Sequence, residues 1–396
     1  MNILVANIGS TSLKYRLYAF GEAGPELLAK GGFERVTDYA ATINECLAEL
    51  RQNGVLQEAS DLDAVAFKVI VAKGVSGCVH LTEPVLEAME HFSRLAPAHN
   101  PPYIAGIRQF AETLPGVPLI GLFETAFYQW APPAFRRYAV PASWQEAGME
   151  RLGFHGASHK FIAERSAQLL GRQDLSVGIE DLYQKGPPAV AGEKPLRVIS
   201  CHLGGSSSIT GLRNGVAIGN SFGTSPQSGL PQNNRSGDLD PFALLHMMRE
   251  ENLDVAATEK LLCTEGGLKA LSGGYNDLRD IKSQADSGNE QARLAIDVLV
   301  EQIRHWIGSF YLSLNGLDAL VFTAGIGENN PWLREAVCRD LDQLGLQLDP
   351  TKNESLRGEE GEISSPNSPV KVLVIPTNEE LVVAREAQRL LLHHTP

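Results

Sequence analysis

The sequence predicts an α/β chain built of two like halves that face each other across a ligand cleft, and three stretches carry that prediction. The first, NILVANIGSTSLKYRLYAF (2–20), is an apolar strand, a tip of small hydroxyl and glycine residues, and an alternating return strand. The second, RVISCHLGGSSSITGLRNG (197–215), repeats that plan about half a chain later. Superposing Asn7 on His202 (202 − 7 = 195) brings Gly9 onto Gly204 and Ser12 onto Ser207, as a duplicated domain would. The third, LDALVFTAGIGENNPWLREAV (317–337), runs from an apolar strand through GIGEN into a helix expected to begin near Pro331. Ordinary turn chemistry explains the two hairpin tips taken alone equally well. The third stretch favours the cleft, because glycines let backbone approach a ligand closely and three such turns could grip phosphates from both sides.

The remaining elements follow in order. The first tip is no Walker loop, since it lacks GK[ST] and leads into a strand rather than a helix. A helix over 159–170 is followed by a polar, Pro- and Gly-rich stretch to residue 195, read as a surface excursion. Residues 352–369 read as another loop before the strand VKVLVI. Over 379–392, Leu381, Val382, Ala384, Ala387, Leu390 and Leu391 recur at helical spacing and predict a helix packed on a domain face.

Composition narrows the function. A chain of 396 residues, 43% hydrophobic, can bury a large core in two or more domains. The net charge of −13 argues against nucleic acid as a ligand, because polyanion binding relies on Lys and Arg replacing counterions. The five cysteines, Cys46, Cys78, Cys201, Cys263 and Cys338, form no CxxC pair and no zinc spacing, as expected of reduced thiols. There is no apolar run of the ~20 residues a membrane span needs, and the first residues enter a strand without a charged leader. A cytoplasmic protein with no membrane partner is the expectation.

Two hairpin tips and a strand-to-helix turn around a cleft are the plan of the actin, sugar-kinase and acetate-kinase architecture, whose working motion would be closure on ATP. The blocks NIGSTSLK (7–14), LAPAHNPP (95–102), LFETAF (122–127), LGFHGASHK (152–160), ISCHLGGSSSI (199–209), NRSGDLDP (234–241), GGYNDLRDI (273–281), FTAGIGEN (322–329) and VLVIPTNEELVVARE (372–386) occur in the order of the acetate kinase family. Over nearly its whole length the chain resembles that family of acetate, propionate and butyrate kinases. The resemblance implies a duplicated actin-like, ribonuclease H-like two-domain fold with a central ATP cleft. It also implies ATP-dependent, reversible phosphorylation of a short carboxylate to an acyl phosphate by direct in-line transfer, with Mg2+ and with Mn2+ able to substitute.

Residue by residue, the resemblance implies the following site. Asn7 and Glu379 match the Mg2+ ligands, an amide oxygen and a carboxylate of the hard kind that ion takes; Glu379 alone would read as an acid favouring a helix N-terminus. Arg235 matches the arginine facing the phosphoryl group, where its fork spreads over equatorial oxygens; its bland alternative is a surface ion pair. His155 matches a histidine that donates to the phosphoryl group in flight, and His159 is read as structural. His202, Leu203, Gly204, Gly205 and Ser206 would cradle the phosphates, with Lys14 as a supporting point charge. Asp277, Leu278, Arg279 and the run Gly325, Ile326, Gly327, Glu328, Asn329 would line the adenosine pocket.

Four departures cluster at this site. Where the family has HRVVHGG this chain has FKVIVAKG (67–74), so an arginine that steadies carboxylate and phosphoryl becomes Lys68, which keeps the charge and loses the fork. The aspartate of FDTAFH becomes Glu124, and a carboxylate displaced by about an ångström can cost ~10²-fold in rate. A matched shift of the two, the longer acid reaching the altered base, is the reading to test. In the acyl pocket Ile70 and Ala98 replace valine and leucine while Phe154 and Pro226 remain, which predicts added room and admits propionate or butyrate, at ~1–3 kcal/mol of discrimination per methylene. HLGNG and DTSMG become HLGGS and GNSFG, with Gly205 and Gly219 in place of polar residues.

The expected division is 1–150 plus 381–396 for the first domain and 151–380 for the second, nucleotide-binding and dimer-forming one. The resemblance implies a homodimer. Two competing readings stay open: a kinase for a different small carboxylate, and a nucleotide-binding regulatory relative with little transfer activity.

Overall fold

The structure, a computed structural model, describes residues 1–9, 11–97, 99–189 and 194–393. Twelve strands form two six-stranded sheets. In the first, β1 (Asn2–Ile8) pairs antiparallel with β2 (Ser12–Gly21), which pairs with β3 (Gly24–Glu34); on its other side β1 runs parallel to β4 (Ala64–Val69). β5 (Cys78–His80) then closes the sheet antiparallel to β6 (Leu119–Phe123), itself parallel to β4. The second sheet repeats every one of these relations. β7 (Arg197–Leu203) takes the place of β1, β8 (Ser207–Arg213) and β9 (Val216–Asn220) those of β2 and β3, and β10 (Ala319–Thr323) that of β4. β11 (Gly361–Glu362) and β12 (Lys371–Val374) stand for β5 and β6.

Strand order and pairing sense thus confirm the duplicated α/β fold, and refine its register. Ile8 faces Leu13, whereas Leu203 faces Ser207. The 195-residue offset therefore holds in the outgoing strands (203 − 8 = 195) and drops to 194 in the return strands (207 − 13 = 194), so Ser12 corresponds to Ser206 and not to Ser207. A serine braces each tip, by its hydroxyl in the second and by its backbone carbonyl in the first. In the second, the Gly204 amide donates to Ser207 Oγ (3.2 Å), while in the first the Gly9 amide bonds the Ser12 carbonyl (2.8 Å).

The central strands are buried on both faces and read as continuous apolar runs, as parallel strands covered by helices should. The helix Gly156–Leu169 lays Ile162, Ala163 and Ala167 against Val198, Ala319 and Val321 of the second sheet. The C-terminal helix Glu379–His393 follows a strand of the second sheet but buries Val382, Val383, Ala384 and Ala387 in the core of the first. Where these two helices meet, Lys160 is fully buried between Glu164 (2.5 Å) and Glu386 (3.2 Å), and Arg385 and Arg389 pair with the same two acids. Each buried charge has a partner, the condition for tolerating the desolvation such charges cost.

Two loop expectations are corrected. The stretch after residue 171 holds the helices Gln173–Glu180 and Leu182–Lys185, whose Leu175, Ile179 and Leu182 are buried. Those three fall on one face at helical spacing, a signal masked by the surrounding Gly, Pro and charge. Within 352–369 the helix Pro350–Ser355 and β11 interrupt the expected loop. None of the five cysteines pairs with another, and no helix among the described residues is long and apolar enough to cross a membrane.

Candidate active site

The site is assembled where strand ends and helix starts of the two sheets converge. Lys68 lies near the end of β4 and Glu124 directly follows the neighbouring β6; parallel pairing sets them side by side. Lys68 Nζ reaches Glu124 Oε1 at 3.2 Å and makes a closer hydrogen bond to Glu379 Oε2 at the start of the C-terminal helix. Two carboxylates thus share one ammonium in a buried pocket. Burial alone would lower the Lys68 pKa, but Glu379 and Glu124 outweigh it and hold it well above its ordinary value. Burial raises the Glu124 carboxyl, with Lys68 only partly offsetting it, and Glu124 Oε2 has no partner. Glu379 goes the other way: the pull of Lys68, then of His202, overcomes its burial and keeps it ionised. Of the two carboxylates, Glu124 is therefore the one that holds a proton more readily.

His155 caps the helix Gly156–Leu169 with a left-handed backbone (φ 58°), sparsely populated for any residue but glycine. The next residue can only be glycine without a shift, since a Cβ at Gly156 would lie 2.2 Å from the Glu124 carbonyl oxygen. The Gly156 amide instead donates to that oxygen (3.1 Å), tying the turn that carries His155 to the one that carries Glu124. The His155 ring stacks on that of His202 (centroids 4.0 Å apart), and its Nδ1 meets Ser208 Oγ at 2.8 Å. His202 Nδ1 meets Ser158 Oγ at 2.8 Å, and an added Cβ at Gly204 would lie 3.9 Å from its Nε2, which therefore faces the second tip. Burial first, then the neighbouring histidines, Lys68 and Arg235, hold the His155 pKa well below its ordinary value; burial and Lys68 take His202 down to about 4 against the pull of Glu379. Both rings are neutral at physiological pH.

Arg235 is aimed by Nη1 contacts to the Pro226 carbonyl (3.2 Å), Gln232 Oε1 (3.1 Å) and Ser206 Oγ (3.5 Å) of the second tip. Burial lowers its pKa. Pro226 thus enters the site through its carbonyl oxygen. Ile70 and Phe154 pack in one apolar cluster with Phe92 and Phe222; Ala98 lies outside the described residues. Phe222 is fully buried and lies edge-on to Phe154 (5.6 Å).

At the first tip, Asn7 Nδ2 donates to Glu380 Oε1 (2.9 Å), leaving Asn7 Oδ1 buried without a partner. An orphaned amide oxygen at the edge of a cleft that also holds Glu379 fits a hard cation that keeps most of its waters. Among the described residues no group of three or more His, Cys, Asp or Glu could hold a metal, so an ion taking dense protein coordination does not fit. Lys14 is on the surface, 3.4 Å from Glu34.

The local structure expected of the GIGEN stretch is corrected. GIGEN is not an open turn but lies within the short helix Ala324–Asn329, entered through Ala324 at φ 64°, and the next helix begins at Pro331 as expected. Gly204 of the second tip approaches Ala324, and Gly327 approaches Leu203, so tip and helix form one wall that carries His202 to Ser206 on one side and Gly325 to Asn329, Ile326 included, on the other. Glu328 Oε1 accepts from the Thr377 amide (3.3 Å), two residues before Glu379. Asp277 caps the helix Leu278–Asp286 and chelates Arg279 at 2.9 and 2.6 Å, and both are at the surface, whereas Leu278 is buried in the core. Lys282 of that helix lies over the Trp332 ring (5.5 Å), placing it beside the residue after Pro331.

Four residues of this region escaped sequence reasoning. His99, whose buried Nδ1 has no partner, is driven down to about 4 by burial, Arg235 and Lys68; it stood unremarked inside the quoted LAPAHNPP. Arg334, fully buried, donates to the carbonyls of Gly327 (2.9 Å), Glu328 (2.8 Å), Asn353 (2.9 Å) and Leu356 (2.7 Å) and to Asn353 Oδ1 (2.8 Å), clamping the end of the GIGEN helix. Asn220 Nδ2 reaches Tyr128, Thr210 and the Phe154 carbonyl, fixing the backbone at Phe154. Glu380, next to the expected Glu379, orients Asn7. Gly219 has a packing reason: the Phe135 ring would sit 2.4 Å from a Cβ there.

Comparison with known proteins shows similarity over nearly the whole chain. Residues 33–182 and 189–385 match the model of the acetokinase family. The chain is 36% identical to an acetate kinase of Carboxydothermus hydrogenoformans, over 99% of this chain and 100% of that one, and 37% identical to one of Natranaerobius thermophilus over the same shares. Its structure superposes on that of Porphyromonas gingivalis acetate kinase with a TM-score of 0.84 at 33% identity, covering 98% of this chain and 99% of the other. On a propionate kinase from Francisella tularensis the TM-score is 0.83 at 30% identity, covering 97% and 98%.

Proposed function

The chain belongs to the acetokinase family, and on that premise we propose that it phosphorylates acetate or propionate with ATP, reversibly, by direct in-line transfer. It is a carboxyl-group phosphotransferase with the duplicated actin-like fold. The observation that carries the finer reading is that the Gly156 amide, bonded to the Glu124 carbonyl (3.1 Å), ties the turn bearing His155 to the residue whose carboxylate holds Lys68 (3.2 Å), while Arg235 is aimed by Ser206 of the second tip (3.5 Å). A loose phosphoryl-transfer transition state spreads charge over its equatorial oxygens, and an Arg fork, an ammonium and a neutral N–H donor are the groups that stabilise it.

In this reading Lys68 holds the carboxylate of the acceptor in line with the γ-phosphorus, flanked by the apolar wall of Ile70, Phe154 and Phe222. Glu124 keeps Lys68 in place and leaves its own unpartnered Oε2 to orient the reacting groups. Arg235 and His155 meet the phosphoryl oxygens, the second tip holds the β- and γ-phosphates, and the wall from Gly325 to Asn329 with Asp277 and Arg279 receives the adenosine. Asn7 Oδ1 and Glu379 would hold Mg2+, or Mn2+ in its stead, which when bound neutralises phosphate charge. No covalent phosphoenzyme is needed.

The two halves, 1–150 with 381–396 and 151–380, would close on ATP about the buried charges where the helices meet. The second half would also form a cytoplasmic homodimer. Its helices Pro241–Glu250 and Val255–Thr264 expose Phe242 (79%) and Val255 (66%) beside Leu245, Met247 and Leu261, an apolar face more extensive than single surface residues explain. Sedimentation equilibrium should return twice the 42.9 kDa chain mass; a monomer at micromolar concentration refutes that role for the face.

Acyl phosphate trapped with hydroxylamine, from ATP and Mg2+ with formate, acetate, propionate, butyrate or glycolate, tests the acceptor. Acetate and propionate should give the highest kcat/KM, with butyrate lower by about tenfold or more. Turnover on glycolate alone would mean a different carboxylate kinase, and ATP binding without turnover on any acid would favour the regulatory reading.

A further inference from the structure

His159 was expected to be structural, yet its two ring nitrogens join hydroxyls on two different strands. Its Nδ1 meets Ser200 Oγ of β7 at 2.8 Å, and its Nε2 meets Ser208 Oγ of β8 at 2.9 Å. Ser208 Oγ in turn meets His155 Nδ1 at 2.8 Å. Ser200, Ser208 and His159 are all fully buried. The four groups form one unbranched chain, and its last free atom is His155 Nε2.

With the Ser208 hydroxyl proton used within it, such a chain can run in only two directions. A hydroxyl has one proton to donate, and a neutral imidazole has one N–H and one lone pair. Both histidines are held neutral, burial being the largest cause in each. If protons point away from the cleft, His155 Nδ1–H donates to Ser208, Ser208 to His159 Nε2, and His159 Nδ1–H to Ser200. The Ser200 hydroxyl proton is then stranded, because His159 is the only side-chain partner of Ser200 Oγ among the described residues. If protons point toward the cleft, Ser200 donates to His159 Nδ1, His159 Nε2–H to Ser208, and Ser208 to His155 Nδ1. Every proton within the chain then has an acceptor, and the one donor left over, His155 Nε2–H, is not among the fully buried orphans, whereas a stranded buried donor is seldom tolerated.

We propose that Ser200, His159 and Ser208 are positioning residues that fix His155 as the neutral tautomer protonated on Nε2. His155 then presents a donor to the cleft before any substrate binds. The opposite tautomer would aim a lone pair at phosphoryl oxygens and stabilise nothing. The link to catalysis rests on the carboxylate-kinase reading above, while the tautomer itself does not.

The test is the ring 15N spectrum of the full-length protein carrying 15N-histidine, recorded without nucleotide or carboxylate. The wild type should show His155 neutral with the proton on Nε2. Ser208→Ala, which breaks the chain, should move His155 toward a mixture of tautomers and lower kcat by about 10- to 100-fold, less than the ~10²–10³-fold for outright loss of one oriented donor because part of the population keeps the donating tautomer. KM for both substrates should stay within about threefold. Ser208→Thr should restore both spectrum and rate. Ser200→Ala touches neither His155 nor the cleft, and should still loosen the tautomer by freeing His159 to reverse. A wild-type His155 protonated on Nδ1 or on both nitrogens overturns the proposal, as does a folded Ser208→Ala or Ser200→Ala protein whose His155 tautomer is unchanged. Should Ser208→Ala fail to fold, the wild-type and Ser200→Ala spectra decide alone. An altered tautomer with unchanged kcat would leave the chain standing and remove His155 from the transfer step.

Discussion

Lys68→Met should lower the free energy of unfolding by about 3–5 kcal/mol, the range for removing one partner of a buried ion pair. The deficit should depend on pH in a defined direction. Without the ammonium, Glu124 and Glu379 face each other in the same pocket, and the carboxyl already raised by burial rises further. A group whose pKa is higher folded than unfolded adds stability below the unfolded value and loses it as pH climbs through the folded one. The variant should therefore lag the wild type most near pH 8 and recover much of the gap by pH 5, as urea midpoints at the two pH values would show. An equal deficit at both would mean that the carboxylates are not held by Lys68. The matched exchange of Lys68 and Glu124 has its own check. Lys68→Arg and Glu124→Asp, made singly and together, should couple by 0.5 kcal/mol or more in log kcat, since the two side chains touch at 3.2 Å; strict additivity would deny any compensation.

Arg235→Ala should reduce kcat by about 10³-fold or more, the scale at which an arginine stabilises phosphoryl transfer, while leaving the fold intact. Among the described residues its side chain bonds only Ser206, Gln232 and a carbonyl oxygen, and Gln232 Nε2 holds that same carbonyl at 2.9 Å. Arg235→Lys should recover only a minor part of the loss, because an ammonium keeps the charge without the planar fork. Steady-state kinetics of the two variants would check both statements; an alanine variant within tenfold of wild type would take Arg235 out of the transition state.

Much of this was legible in the sequence, for a physical reason. Residues at the open ends of an α/β sheet sit where strands stop, so Asn7, Glu124, His202 and Glu379, which the fold gathers there, stood in short polar or glycine runs beside apolar ones. Strand duplication was visible through the tips, yet the one-residue difference between them was not, since only pairing register distinguishes Ser206 from Ser207 as the partner of Ser12. The Lys68, Glu124 and Glu379 trio was readable as three separate substitutions and matches but not as one cluster, because sheet order brings together residues 56 and 311 positions apart. Arg334 was invisible for a different cause: a fully buried arginine that satisfies carbonyls looks, in sequence, like any charged residue on a helix. The helices after residue 171 were hidden by Gly, Pro and charge, and GIGEN was taken for a turn because glycine lowers helix propensity without forbidding a single short helix.

The most direct test of the account is a 31P spectrum of the wild-type protein with ATP, Mg2+ and acetate labelled with 13C at the carboxyl carbon. Transfer to the carboxylate predicts a new acyl-phosphate resonance split by the 13C carbon and growing in step with ADP, and neither should appear when acetate is left out. ADP and inorganic phosphate accumulating at the same rate with or without acetate, and no split resonance, would contradict it.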